Sequence, residues 1–239
     1  VSEATFRRQV LQARLPVLVA FVAAGCAASR ALRPMLRDVA ARYAGRLRVA
    51  SVSAERAADL AELYGVAATP TLLVVQHGAV VTRAVGFLPA PLLHLLAEQA
   101  ADEALPPDPF WSPLESTFED LVLLPLLGRW GLTHARQFTS AALARGRVDV
   151  LAYDGDAPLT LFESKRSLLS EVAVREAAAQ AHRYAVALSL PSFVVAAPPG
   201  LWVYARRAEK ALPVRRITAL ELAQEPDEAL ALLRQLRLR

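Results

Sequence analysis

The chain has 239 residues, of which 54% are hydrophobic and 21% charged, with a formal net charge of +4 and a single cysteine. That much apolar material excludes a disordered chain and suffices for two cores of ordinary domain size. The lone Cys26 excludes an intramolecular disulfide, and the modest charge does not by itself announce a polyanionic partner.

The longest apolar stretch free of Pro and Gly runs from Val17 to Ala24, well short of the roughly 20 residues that cross a bilayer. Arg7 and Arg8 lie inside an amphipathic stretch, unlike the basic and then apolar order of a signal peptide, so no membrane association and a cytoplasmic location are expected. Along the first half, periodicity predicts a helix over Glu3 to Ala13, a buried strand over Val17 to Ala23, and a long helix from Ala27 to Tyr43 kinked at Pro34. A strand over Arg46 to Ser53 and a short helix over Arg56 to Tyr64 follow. Thr71 to Gln76 and Val80 to Val85 read as a hairpin turning at His77-Gly78, and Pro91 to Ala101 as a last helix.

This order, with Cys26 where strand passes into helix, Pro34 downstream, Thr69-Pro70 ahead of a strand, and then Gly78 and Gly86, resembles the thioredoxin fold. The resemblance implies that Gly25-Cys26-Ala27-Ala28-Ser29 stands at the active motif, with Ser29 where the second cysteine belongs and Ala20 where a buried acid assists proton transfer. A helix N-terminus can still stabilise the Cys26 thiolate. Without a resolving sulfur, dithiol-disulfide exchange is excluded, because the mixed disulfide has no internal route to release. The resemblance also implies that Pro70 sits close to Cys26 as a cis-proline, so that residues 1–101 serve as a partner-binding, substrate-binding or oligomerising domain, with monothiol sensing through Cys26 as the alternative.

Residues 102–113 read Asp-Glu-Ala-Leu-Pro-Pro-Asp-Pro-Phe-Trp-Ser-Pro. Four prolines forbid a regular helix and favour an extended linker, which Phe110 and Trp111 are expected to dock onto one domain.

In residues 114–239, Leu114 to Gly128 reads as a helix carrying Glu115 and Glu119 on one face. After a break at Trp130-Gly131-Leu132 come Ala135 to Phe138 and a strand over Arg147 to Tyr153. A turn at Asp154-Gly155-Asp156 leads into a returning strand over Leu159 to Lys165. Such a hairpin can bring Asp149 and Glu163 together, and alternation sets Glu163 and Lys165 on one face, Phe162 and Ser164 on the other. Two close carboxylates repel unless a cation lies between them, and oxygen ligands with open positions suit Mg²⁺ or Mn²⁺. Lys165 beside them can orient a water and offset charge on a phosphate, so phosphodiester hydrolysis is the reaction this group serves. His77, His94, His134 and His182 make no metal set, only His182 falls near Gln180, and no Walker motif is present.

Gly146-Arg147-Val148-Asp149, Glu163-Ser164-Lys165, and Gln180 with Tyr184 one helical turn later together resemble the PD-(D/E)xK nucleases, in particular the N-terminal nuclease domain of type I restriction enzyme R subunits. The resemblance covers roughly residues 112–206. It implies a restriction-endonuclease-like α/β domain with a central mixed sheet, closed by strands over Ser192 to Ala197 and Leu201 to Ala205. It also implies Asp149, Glu163 and Glu115 (Glu119 as the fallback) as metal ligands, and Lys165 and Gln180 as catalytic partners. The whole chain is then expected to be an α/β protein of two domains, a Mg²⁺-dependent endodeoxyribonuclease acting on DNA. A protein partner or a homodimer is possible on this reading, and the alternatives are a non-cutting nucleic-acid- or protein-binding module and a nuclease regulated through Cys26. Basic residues cluster near these segments: Arg145 and Arg147, Lys165 and Arg166, then Arg206, Arg207, Lys210, Arg215 and Arg216. They can meet phosphates or serve as a solvated face.

Overall fold

A computed structural model describes residues 1–105, 109–144, 146–168, 170–207 and 210–238. Pro106, Pro107 and Asp108 of the expected linker, and Arg145 of the expected basic cluster, lie outside the described residues. The chain divides into two compact units, Val1–Ser112 and Pro113–Arg239.

The first unit is built on a four-stranded sheet in the order β2-β1-β3-β4, comprising β1 (Val17–Val22), β2 (Arg48–Ser53), β3 (Thr71–Gln76) and β4 (Ala79–Val85). β1 and β2 are parallel, and the other pairs are antiparallel. All six residues of β1 are buried, which explains its unbroken apolar run: both faces of a central strand are covered. On one side α2 (Ala27–Arg42) packs with α4 (Ala90–Ala101). On the other, Phe6 and Val10, from α1 (Glu3–Phe6) and the wide turn Arg7–Leu11 that follows it, join Val17, Val19, Phe21, Leu73 and Val75, with Ala61 of α3 (Ala58–Leu63). The helix α2 continues through Pro34.

Among the described residues the expected linker makes a single β-bridge to this unit. Arg83 donates its N–H to the Pro109 carbonyl and Trp111 donates to the Arg83 carbonyl, so Phe110 bridges to β4, while the buried Trp111 donates its indole N–H to Gln99. These bonds cover part of an edge strand that would otherwise present free donors and acceptors. Among the described residues no helix is long and apolar enough to cross a membrane.

The second unit holds a mixed six-stranded sheet in the order β10-β9-β8-β7-β6-β5. Its strands are β5 (Thr133–Phe138), β6 (Val148–Asp154), β7 (Ala157–Ser164), β8 (Ser192–Ala197), β9 (Gly200–Arg207) and β10 (Lys210–Thr218). Only β7 and β8 are parallel, and α7 (Glu171–Ala187) makes the crossover between them that a parallel pair requires. Ser170 caps α7 by accepting from Ala173 N–H, and Ala177, Ala178, Ala181 and Ala185 form its buried stripe. Small alanines let α7 lie close on Leu151, Leu161, Phe193 and Val195.

Where one helix was expected over Leu114 to Gly128, there are three pieces: α5 (Glu115–Phe118), a wide π-type turn Glu119–Leu123, and α6 (Leu124–Arg129). Pro125 has no N–H to give the Leu121 carbonyl, so the regular ladder cannot pass it, and the turn widens just before. The strand β10, α8 (Ala219–Gln224) and α9 (Pro226–Arg237) extend the unit beyond the elements expected from the sequence. Thr218 and Glu221 form a capping box on α8, and Trp130 donates to the Pro226 carbonyl at 2.9 Å, tying α9 to the end of α6.

Candidate functional site

A cleft of about 600 Å³ in the second unit is lined by Glu115, Thr139, Gly146, Arg147, Asp149, Glu163, Lys165, Gln180 and Tyr184. The register Val150↔Phe162 and Leu151↔Leu161 carries on to set Asp149 opposite Glu163, on the sheet face that α7 covers. Gln180 and Tyr184, one turn apart on α7, close the cleft from above, and Glu115 enters from the first residue of α5. Residues expected from four separate segments therefore line one cavity.

Glu119, the fallback for Glu115, is engaged elsewhere. It is buried and accepts from Arg136 at 2.9 Å, and Arg136 also pairs with Asp120 at 2.6 Å. His182 does not line the cleft, since its ring packs 5.8 Å from Phe193, and His134 is exposed on β5. His77 pairs with Glu103 and His94 with Asp38. Thr139, at the end of β5, was not singled out by the sequence, because a hydroxyl one residue past a strand carries no motif of its own.

The electrostatics centre on Glu163. It is 1% exposed, its Oε1 accepts from Lys165 Nζ at 2.6 Å, and its Oε2 is buried without a hydrogen-bond partner. Burial raises its pKa to about 7; the hydrogen bond from Lys165 opposes this, while Asp149 and Glu115 add repulsion. Burial also works against the charge on Lys165, but its bond to Glu163 and the attraction of Glu163, Glu115 and Asp149 hold its pKa above the ordinary value. The two directions pull apart for one ion pair. Lysine faces three carboxylates and stays charged, whereas Glu163 has one ammonium to offset burial and two like charges. Asp149 is oriented by the Ser164 N–H, which donates to its Oδ2 at 2.9 Å.

Gly146 is required by the cleft wall. A Cβ there would stand 2.6 Å from Tyr184 Cε1 and 3.0 Å from the Leu143 carbonyl oxygen, whose bond from the Gly146 N–H fixes the turn. Gly146→Ala is expected to destabilise the second unit by about 1–3 kcal/mol through overpacking. Urea melts of the two proteins measure this, and equal midpoints would show that Tyr184 swings aside at no cost.

As a metal centre the set fits in part. Among the described residues no three His, Cys, Asp or Glu side chains stand close enough to hold an ion, so Glu115 does not complete a three-carboxylate cluster with Asp149 and Glu163. The orphaned Glu163 Oε2 and the neighbouring Asp149 suit a centre of two carboxylates, with water and phosphate oxygens in the remaining positions.

The first unit holds the free thiol of Cys26. Cys26 occupies the N-cap position of α2 without a capping side-chain bond, and its Sγ donates to the Thr69 carbonyl at 3.2 Å, beside the cis Thr69–Pro70 bond. Hydrogen bonding with the Ser29 side chain is the largest influence on the thiol; burial opposes it, and backbone bonds and Thr69 add to it, so the pKa falls below the ordinary thiol range. Ser29 is fully buried and accepts from the Ala23 N–H. Ser29→Ala is expected to move the pH midpoint of Cys26 alkylation by iodoacetamide upward. An unmoved midpoint would assign the lowered pKa to the helix end instead.

Comparison with known proteins bears on this first unit. The family model Thioredoxin matches residues 1–98. Thioredoxin 1 of Nostoc sp. is 32% identical over 99 residues, covering 41% of this chain and 92% of that protein. Thioredoxin 1 of Synechococcus elongatus is 34% identical over 89 residues, 37% of this chain and 83% of that protein. Thioredoxin of Pseudomonas aeruginosa is 36% identical over 88 residues, with 37% and 82% covered. Through its first unit, then, the chain belongs to the thioredoxin family, as a member with one thiol.

Proposed function

We propose that the second unit is a metal-dependent nuclease of the PD-(D/E)xK type that hydrolyses DNA phosphodiester bonds, and that the thioredoxin unit, lacking a resolving thiol, serves partner, substrate or oligomer contacts. The observation that carries this reading is the convergence of Asp149, Glu163, Lys165 and Gln180 on one cleft, with a Glu163 oxygen buried and unpartnered. A carboxylate in that setting is a poor surface ion pair and a good cation ligand.

Asp149 and Glu163 would hold Mg²⁺ or Mn²⁺. When bound, the ion supplies Lewis-acid polarisation of the phosphodiester and a water of lowered pKa. Lys165, fixed by Glu163 and kept charged, orients the attacking water and stabilises charge growing on the phosphate. The carboxamide of Gln180 and the exposed guanidinium of Arg147 line the same cleft and can donate to phosphate oxygens.

The test is incubation of the full chain with supercoiled plasmid, linear duplex and single-stranded DNA, in Mg²⁺, Mn²⁺ or chelator, beside Glu163→Ala and Lys165→Ala. Metal-dependent cutting by the wild type alone is expected. Equal cutting by all three proteins sinks the site assignment. One observation favours a second reading, a module that binds nucleic acid or protein without cutting: no three potential ligands among the described residues cluster tightly. Metal-independent DNA binding with no cleavage in any condition selects it. Control of cutting through Cys26 is tested separately by Cys26→Ser under oxidising and reducing conditions, where an unchanged redox response removes it.

A further inference from the structure

A second concavity in the C-terminal unit, of about 670 Å³, lies on the sheet face that carries the cleft. Leu168, Ser170, Glu171, Val174 and Arg175 line one side; Trp202, Tyr204, Pro213 and Arg216 line the other. The pairing that sets Glu163 beside Val195 continues from Val195 to Trp202 and from Trp202 to Arg216. Trp202 thus stands two strands from Glu163, roughly 10 Å across the sheet at the usual ~4.8 Å spacing. The segment from Lys165, in the cleft, to Leu168, in the groove, joins the two sites.

Planar groups and unneutralised cations characterise this groove. The Arg216 guanidinium lies 5.0 Å from the Trp202 ring centroid, and Tyr204 is stacked on Phe193 at 4.9 Å with the rings 5° apart. Tyr204 is therefore fixed by the ring beside it on the neighbouring strand. Among the described residues neither Arg175, whose Nε donates to the Glu171 carbonyl at 3.4 Å, nor Arg216 forms an ion pair, although Arg215, the chain neighbour of Arg216, is tied to Glu221 and Glu228. Glu171 is the single acid in the lining, against two arginines, and Arg207 and Lys210 are exposed on the same hairpin. Rings each held on one side by a neighbour, flanked by guanidinium groups without an acidic partner, match bases that stack and phosphates that pair. A peptide has no comparable need for alternating flat faces and cations.

We infer that this groove binds a single-stranded nucleic-acid segment, with bases stacked on Trp202 and Tyr204 and phosphates held by Arg175 and Arg216. The inference rests on the nucleic-acid reading of the neighbouring cleft and adds the strand state of its substrate. The groove gathers the unpaired continuation of a strand whose phosphate lies at Lys165. A substrate with a frayed end, flap or gap suits this arrangement better than uniform duplex.

The experiment measures fluorescence anisotropy of a fluorescein-labelled oligothymidine of about 20 nucleotides, longer than common single-strand sites, and of a duplex of equal length. Both are titrated with the full chain in chelator, so that binding is read without cutting. Trp202→Ala is expected to weaken oligothymidine binding about tenfold, with little change for duplex. Arg175→Gln and Arg216→Gln, at exposed positions where folding is not at stake, are expected to weaken it several-fold and to lower the salt slope by about 0.7 each. Wild-type affinity in the Arg175→Gln/Arg216→Gln double variant, or no oligothymidine binding by the wild type, overturns the inference. Wild-type affinity with active cutting removes the groove and leaves the nuclease. Groove-dependent binding without cutting in any metal removes the nuclease and leaves the groove.

Discussion

Lys165→Met is expected to lower metal-dependent cleavage by about a thousandfold while Mn²⁺ binding survives, whereas Asp149→Asn is expected to lose both. The difference follows from what each side chain holds. Lys165 donates to Glu163 at 2.6 Å and lines the cleft, and as a cation it cannot be a metal ligand. Its contribution on the proposed mechanism is charge and direction toward water and phosphate, and methionine matches it in length but not in charge. Asp149 is a carboxylate already oriented by the Ser164 N–H at 2.9 Å, so replacing one oxygen with an amide removes an anionic ligand from a pair. Removing Lys165 also takes away the influences that hold the Glu163 pKa down, so Mn²⁺ binding in Lys165→Met should weaken at neutral pH and recover as pH rises. Calorimetric Mn²⁺ titrations beside initial rates on plasmid separate the two variants. A Lys165→Met protein that cuts at the wild-type rate, or that fails to bind Mn²⁺ even in alkaline buffer, contradicts the assigned role.

These residues are legible in the sequence because a hairpin carries its own geometry. Gly155 takes a positive φ in the turn it was expected to make, so the two strands run side by side and bring Asp149 near Glu163, while the register shift between Ala152 and Tyr153, which no local pattern announces, sets them directly opposite. Gln180 and Tyr184 followed from one helical turn. The thioredoxin unit was legible for a related reason, since β1 is buried on both faces and reads as one apolar run. What escaped depends on contacts between distant segments. The ion pair that holds Glu119 away from the cleft depends on Arg136, a partner from β5 that no local pattern announces. Pro125 could have signalled the break between α5 and α6, but the apolar spacing around it overrode its missing N–H. The edge strand β10 is mostly exposed, so its residues show no core-facing alternation, and its arginines read as a loose basic cluster. Trp202 and Arg216 face one another only after β9 and β10 pair across the bulge between Pro213 and Arg215.

In chelator, the second unit is expected to lose stability as pH rises, which is the reverse of ordinary carboxylate behaviour. Folded Glu163 has a pKa of about 7, whereas in the unfolded chain it titrates in the usual range near ~4.3. Between those values the folded state keeps a proton that the unfolded state has released, so raising pH favours unfolding. The contribution is complete below about pH 4, declines through the window, and is gone above about pH 7, a span on the order of 3 kcal/mol. Mg²⁺ or Mn²⁺ should reverse the trend at the upper end, because the ion binds the ionised carboxylate and stabilises the folded state by mass action. The gap between metal and chelator curves therefore opens as pH passes about 7 and closes in acid. Urea melts followed by tryptophan emission report on this unit through Trp130, buried against Pro226, and Trp202, with Trp111 alone in the first unit. Glu163→Gln carries no titrating proton, so its curve should lose both the slope and the metal effect. A wild-type curve that climbs between about pH 5 and pH 7 in chelator, above the range where the hydrogen-bonded Asp154 and Glu221 titrate, would mean that Glu163 ionises like a surface carboxylate, and that its burial does not set the chemistry of the cleft.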